Sequence, residues 1–518
     1  MLAIQLVLEV ASMQHLTVTY DEPQHFRYGQ NLLRLDSTRF DDSKMPVSAL
    51  NALPARLGAL LAPGPLSVAL GRLETARYVT VLFSLLLAFC VYCWARDLYG
   101  PPAGLLALTL CVFDPNLLAH SQLVTTDVYA AGLITFSLYL FWRFLERGGW
   151  GPAASSALAL GLAQLAKYTA LLLYPLFVLI VLGRFARDLW RVRRERRIGE
   201  LGRRLLVFGK FALFFPVISL LVINAAFLFN QGFLPLDAYQ FRSDFYRSVQ
   251  ASLGALRVPV PYPFLEGLDW VIQRERTGKG YGNLYLLGEL RHGEGFTGYY
   301  FYACLYKLPI ATQLLLLASV VVYAVRFRRF DFWKNEWVPA CPIIAFTLYF
   351  NFFYRAQLGI RFFLVVFPLL YVFCGSLLRD AGSLSRTAKA SLAAMLAFLI
   401  LSVLSYYPHF LPYFNELVGD RTQAYKILAD SNIDWGQSRW YLEQYQKAHP
   451  EVIVEPEGPT AGTIIVGVNR LTGVFSFEQY RWLRENFQPV GHVAYSYLIF
   501  DVSPSELERV KRLLRRRP

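Results

Sequence analysis

Apolar residues run along this chain in long blocks. Stretches of roughly twenty residues, the length a helix needs to cross a bilayer core, recur near 1–15, 77–96, 101–117, 123–144, 152–166, 168–186, 205–229, 300–325, 337–353, 361–378 and 389–407. The pattern predicts a polytopic α-helical membrane protein with about eleven transmembrane helices. Only Lys167 and Tyr168 separate the fifth and sixth stretches. In the first polar interval, Val47, Leu50, Leu53, Leu57, Leu60 and Leu61 recur at helical spacing around Pro54, which predicts kinked amphipathic helices lying in the membrane interface. After about residue 408 the pattern changes. There "GTIIVGVNRL" and "HVAYSYLIFDV" read as strands and "SELERVKRLLRRR" as a helix. Residues 1–408 are therefore expected to form the membrane domain and 409–518 a small extracytoplasmic α/β appendage.

Composition agrees with a membrane solvent: 55% of the 518 residues are hydrophobic and 17% charged. The net charge of +14 is gathered in short arginine-rich runs between apolar blocks, which orients a membrane protein and makes nucleic-acid binding the weaker reading. The runs 184–204, 326–334 and 379–389 are expected on the cytoplasmic side. The loops 16–76 and 230–299, the turn "FDPNLLAHSQLVTTD", the loop "NFFYRAQLGIR" and everything after 408 then face the other way, on the outer face of an inner (plasma) membrane. Cys90, Cys93, Cys111, Cys304, Cys341 and Cys374 lie in or beside apolar blocks with no second pair to complete a zinc site, and read as packing residues. Leu2 to Ala11 lacks the basic start and cleavage site of a signal peptide, and is short for a span.

The candidate chemistry crowds the predicted outer face. "TYDEPQHFRYG" (Thr19 to Gly29) sets Asp21 and Glu22 before Pro23, a residue suited to the first helical turn. One carboxylate would cap that helix. Two exceed the need, and Asp21 with His25 four residues on shares a face as acid and base or as metal ligands. Asp127 begins the fourth apolar stretch, where the helix dipole favours an anion but ionisable residues at membrane depth usually face a cavity. Lys167, Lys307, Arg355 and Arg361 are basic residues at outer ends of spans, able to snorkel or to meet a phosphate. His25, Glu289, His292 and Glu294 are a candidate set for a divalent metal (Mg, Mn or Zn), although their spacing matches no tight motif. "DSNIDWGQ" (Asp430 to Gln437) reads as a docking turn, with Trp435 available to stack on a sugar ring.

Four segments together resemble the integral-membrane glycosyltransferases of the GT-C type, close to the bacterial branch of glycosyltransferase family 39, a group that includes the protein O-mannosyltransferases and resembles the lipid A aminoarabinose transferase. They are "DEPQHFRYGQNLL", "LLAHSQLVTTDVYAAG", "YLLGELRHGEGFTGYYFYACLYKLP" and "YFNELVGDRTQAYKILADSNIDWGQS". The resemblance implies a GT-C fold and transfer of a monosaccharide, with inversion, from a polyprenyl-phosphate carrier to an acceptor hydroxyl on a protein, lipid or glycan. It assigns Asp21 as base, and Glu22 and Asp127 as groups that orient the acceptor or hold the base, Asp127 alternatively through a metal. The phosphate falls to Lys167, Arg355 and Arg361, with Lys307 beside them. Departures are Lys44-Met45-Pro46, where relatives commonly carry His-Pro-Pro, and "GFTGYYFY" in place of a Trp-rich run; they bear on donor and acceptor choice. The rival readings are a transporter or flippase, which would place its charges near the bilayer midplane, and a carrier-binding protein without catalysis.

Overall fold

A computed structural model describes the chain except for residues 40, 196–208, 210–211, 279, 281, 327–331 and 516–518. Each apolar stretch carries an apolar helix or helix pair, but most are shorter than a bilayer is thick. Leu73–Tyr99, Asp127–Arg147, Tyr168–Ala186 and Arg386–Leu404 are long and apolar enough to cross alone. Tyr299–Lys307 and Ile310–Val325 join as a fifth only if one span bends by 114°. The break falls at Pro309, which has no amide hydrogen to donate and clashes with the preceding turn. Pro101 and Pro115 each start a new helix in the same way, cutting the third stretch into Pro101–Val112 and Pro115–His120. Leu2–Met13, Phe214–Ala226, Trp337–Phe352 and Phe367–Leu378 are also short apolar helices. Residues 196–204 of the first arginine run and 327–331 of the second lie outside the described residues.

The centre of the bundle is a packed apolar core around Trp94, Val91, Ile134, Leu138 and Val372, all buried. On it sit the helices of the first polar loop. Glu22–Leu33 crosses Ser48–Gly58 at Gly29, where any side chain would drive its Cβ to 2.2 Å from the Ser48 carbonyl oxygen. The glycine of "DEPQHFRYG" is thus fixed by close approach of two backbones. Ser48–Gly58 contains Pro54 and is tied down by Asn51, which donates to the Ala76 carbonyl at 2.9 Å and to Thr80 at 2.8 Å. From the second long loop, the helix Tyr262–Thr277 brings Trp270, Arg274 and Glu275 over the same region.

Beyond residue 408 the strands Gly462–Gly467 and Tyr497–Val502 pair antiparallel, with Ile464 opposite Phe500. Ile453–Val454 adds in parallel on one edge and Gly491–Val493 antiparallel on the other. Pro504–Arg515 closes the chain as a helix. The segment between Arg386–Leu404 and this sheet is joined to the bundle through Lys307, whose ammonium donates to the carbonyls of Leu411 and Asn432 at 2.7 Å each.

Candidate active site

Four breaks in helical structure meet at one cavity of about 270 Å³. Asp21 precedes the helix Glu22–Leu33, and Asp127 opens the helix Asp127–Arg147. Lys167 lies between the helix Trp150–Gln164 and the turn Tyr168–Leu172, and Arg361 lies in the turn Ile360–Phe363. Asp21 stands at the capping position but its side chain accepts no helix amide. Its Oδ2 instead accepts from Arg361 Nη1 at 2.9 Å, while the same nitrogen lies 3.9 Å from Asp127 Oδ2. Lys167 donates to the other oxygen of Asp127. Arg361 therefore bridges the two acidic motifs, and neither carboxylate serves as a helix cap.

Burial alone would raise the Asp21 pKa, but the Arg361 guanidinium outweighs it and holds the carboxyl below its ordinary range. Asp21 is ionised at neutral pH, with its side chain 32% exposed to the cavity. The Arg361 guanidinium loses hydration on burial, yet the two aspartates hold its proton more tightly than usual. Its plane lies 4.0 Å over the Trp435 ring, and His120 meets the same indole edge-on at 5.8 Å. Trp435, expected to stack on a sugar, is buried beneath Arg361 and is a support for it. Trp435→Ala is expected to lower kcat about tenfold with little change in KM, by loosening a stacked, desolvated cation, and Trp435→Phe to recover most of it. Steady-state kinetics of the two variants test this.

The other expected site residues divide. Glu22 lies outside the cavity and is fully buried. Its oxygens accept from Arg77 Nε at 2.8 Å and Nη2 at 2.7 Å, from the Val124 amide at 2.9 Å and from the Thr19 amide at 2.8 Å. With its lone pairs filled, it joins the two acidic loops and has none to offer an acceptor. Lys307 is likewise consumed by backbone carbonyls away from the cavity. Arg355 is exposed and lines a neighbouring hollow with Glu294 and Gln357. His25 does line the cavity, its Nδ1 3.3 Å from Ser48 Oγ, and burial pushes its pKa down to about 3, so it is neutral. Glu289 pairs with Arg291, and His292 with Asn283, and both Glu289 and His292 are exposed on the outer strand of the hairpin Asn283–Leu286/Glu289–His292. The expected metal set is not assembled: among the described residues no three His, Cys, Asp or Glu side chains gather as metal ligands.

Sequence reasoning missed Arg77 and the trio Trp270, Arg274 and Glu275. Arg77 sat within an apolar block, where a lone basic residue signals a buried partner. The trio lies on one amphipathic helix, and Arg274 covers the Trp270 ring at 4.0 Å. Glu275 accepts from the Tyr349 hydroxyl on the cavity wall. Burial lifts its pKa to about 7, with Tyr349 and Lys167 opposing the rise. A carboxyl raised from 4.5 binds its proton more tightly when folded than unfolded, so the contribution of Glu275 to stability is greatest at low pH and is lost as pH rises from about 4.5 through about 7. Glu275→Gln should therefore melt higher than wild type at pH 8 and equally at pH 4.5, as read by thermal unfolding across that range.

Comparison with known proteins places this geometry. Residues 59–219 match the dolichyl-phosphate-mannose-protein mannosyltransferase family. No curated protein matches by sequence. Among solved structures, ArnT from Cupriavidus metallidurans aligns at a TM-score of 0.51 and 12% identity, over 96% of each chain. The oligosaccharyltransferase AglB from Archaeoglobus fulgidus aligns at a TM-score of 0.46 and 13% identity, over 83% of this chain and 56% of that one. Over residues 59–219 this chain is thus similar to the dolichyl-phosphate-mannose-protein mannosyltransferase family, and over nearly its whole length it has the fold of ArnT.

Proposed function

We propose that the protein is an inverting transferase that moves one monosaccharide from a polyprenyl-phosphate carrier to an acceptor hydroxyl, at the outer face of a bacterial inner membrane. The observation that carries this reading is Asp21, an ionised, cavity-facing carboxylate. Arg361 occupies its Oδ2, and its Oδ1 accepts no hydrogen bond among the described residues. ArnT, whose fold this chain shares, has been crystallised bound to undecaprenyl phosphate, which supports a carrier of that class here.

In the reaction proposed, an acceptor hydroxyl hydrogen-bonds to Asp21 Oδ1 and attacks the anomeric carbon opposite the carrier phosphate. The new C–O bond forms as the sugar–phosphate C–O bond breaks, and the bonding pair leaves with the phosphate. Asp21, held in its charged form by Arg361, is a weak base toward a resting alcohol. It takes the proton as the attacking oxygen becomes positive. Lys167 and Arg361 sit where charge on the leaving phosphate can be met, and Arg274 approaches from the facing helix. No general acid is needed, because a phosphate leaves readily as an anion. Asp127 holds Lys167 and Arg361 in place.

The test is transfer from a panel of radiolabelled polyprenyl-phosphate monosaccharides by the purified protein in lipid. Label moving to an acceptor, or released as free sugar, is expected with at least one donor. Donors that bind and never react would make the protein a carrier-binding protein instead.

A further inference from the structure

A second polar cavity lies at the far end of the bundle. Its volume is about 350 Å³, and it is lined by Arg96, Asp97, Tyr139, Trp142, Arg143 and Arg147, with Glu146 at its edge. The helix Asp127–Arg147 connects the two cavities: Asp127 lines the catalytic one and Arg143 and Arg147 this one. At 1.5 Å per residue the separation is roughly 30 Å, the thickness of a bilayer core. The second cavity therefore opens at the opposite membrane interface.

Its charges are unbalanced. Asp97 is taken by Arg96, through Nε at 3.0 Å and Nη2 at 2.7 Å, and by the Tyr139 hydroxyl at 2.6 Å. Glu146 is taken by Arg184 at 2.7 Å and Lys334 at 3.0 Å. Arg143 and Arg147, four residues apart on one helix face, have no carboxylate partner among the described residues. Among the described residues Arg143 rests on the Tyr139 ring, 5.6 Å away. Trp142 is 9% exposed and stacks near-parallel on Tyr139, and its buried indole Nε1–H has no acceptor among the described residues. A solvated positive face would account for the two arginines. It does not account for the stacked Tyr139–Trp142 pair that lines the cavity beside them.

We propose that this cavity binds a phosphate-bearing anion, held by Arg143 and Arg147 above the Tyr139–Trp142 pair. Guanidinium forks match phosphate oxygens, and the cavity holds a headgroup-sized ligand. Basic pockets between helices at a membrane face suit anionic lipid headgroups, and free phosphate has the same chemistry. The inference does not depend on the transfer reaction.

The experiment uses the full chain in nanodiscs. Retention of phosphatidylglycerol against phosphatidylcholine is read by native mass spectrometry, and thermal unfolding in phosphatidylcholine is read with and without added inorganic phosphate. Arg143→Gln/Arg147→Gln is expected to weaken phosphatidylglycerol retention about thirtyfold, from the loss of two basic residues at a membrane surface. Arg147→Gln alone changes an exposed side chain, so it keeps the test valid should the double variant not fold, with a loss of about fivefold. Selective phosphatidylglycerol retention lost in the variants identifies a lipid source. Stabilisation by inorganic phosphate lost in the variants identifies a free one. Equal retention by wild type and variants, with no response to phosphate, overturns the proposal.

Discussion

Asp21→Asn should lower the rate of sugar transfer by a factor of about 10² to 10⁴, the range contributed by a positioned proton acceptor, while donor binding persists. The amide is nearly isosteric and still presents an oxygen to Arg361, so the 2.9 Å contact can survive without its charge. What it cannot do is accept a proton from the attacking hydroxyl. Because the side chain is 32% exposed and carries no helix cap, the melting temperature should stay close to wild type. Measuring transfer and donor binding on the same preparation separates chemistry from recognition. Full activity in Asp21→Asn would remove Asp21 as base and leave its carboxylate a counter-ion for Arg361.

Glu22→Ala is expected to fail one step earlier, in folding. Glu22 and Arg77 are a buried pair with exposures of 0% and 1%. Removing one partner leaves an uncompensated buried charge, which costs about 3–5 kcal/mol. Arg77 also donates to the carbonyls of Leu16 and Thr17 at 3.0 Å each, and Glu22 reaches the Val124 amide. The loss should therefore loosen both acidic loops together. Denaturant or thermal unfolding in detergent should show Glu22→Ala and Arg77→Ala alike, and Glu22→Leu/Arg77→Met less impaired than either. A Glu22→Ala protein as stable as wild type but inactive would return Glu22 to the chemistry.

Adjacent residues of one motif thus have different work, and that division is where sequence reasoning stopped. Apolar blocks located the helices because burial in lipid imposes the same constraint on every residue of a block. They did not give spans, because proline breaks such as Pro309 and Pro115 cut the blocks into pieces. Asp21, Asp127, Lys167 and Arg361 were legible as charges at ends of apolar stretches, and the structure brings them together. Glu22, Lys307 and Trp435 drew the same attention for the same reason, yet each is saturated or covered by a partner distant in sequence: Arg77, Leu411 with Asn432, and Arg361. Partner identity is a tertiary property, and a single sequence shows only that a partner is needed. The Trp270, Arg274 and Glu275 wall was hidden because its helix has the composition of an ordinary surface helix.

The stacking of Arg361 on Trp435 also has a temporal meaning. The acidic motifs are made first, at residues 21 and 127, their bridging cation much later, and the indole beneath that cation later still. Lys307 likewise waits for the carbonyls of Leu411 and Asn432. A ribosome-bound chain can thread its early helices into the bilayer and still lack a working centre. On the proposed function, a chain still short of residue 361 lacks the cation that bridges its two aspartates and cannot carry out the transfer.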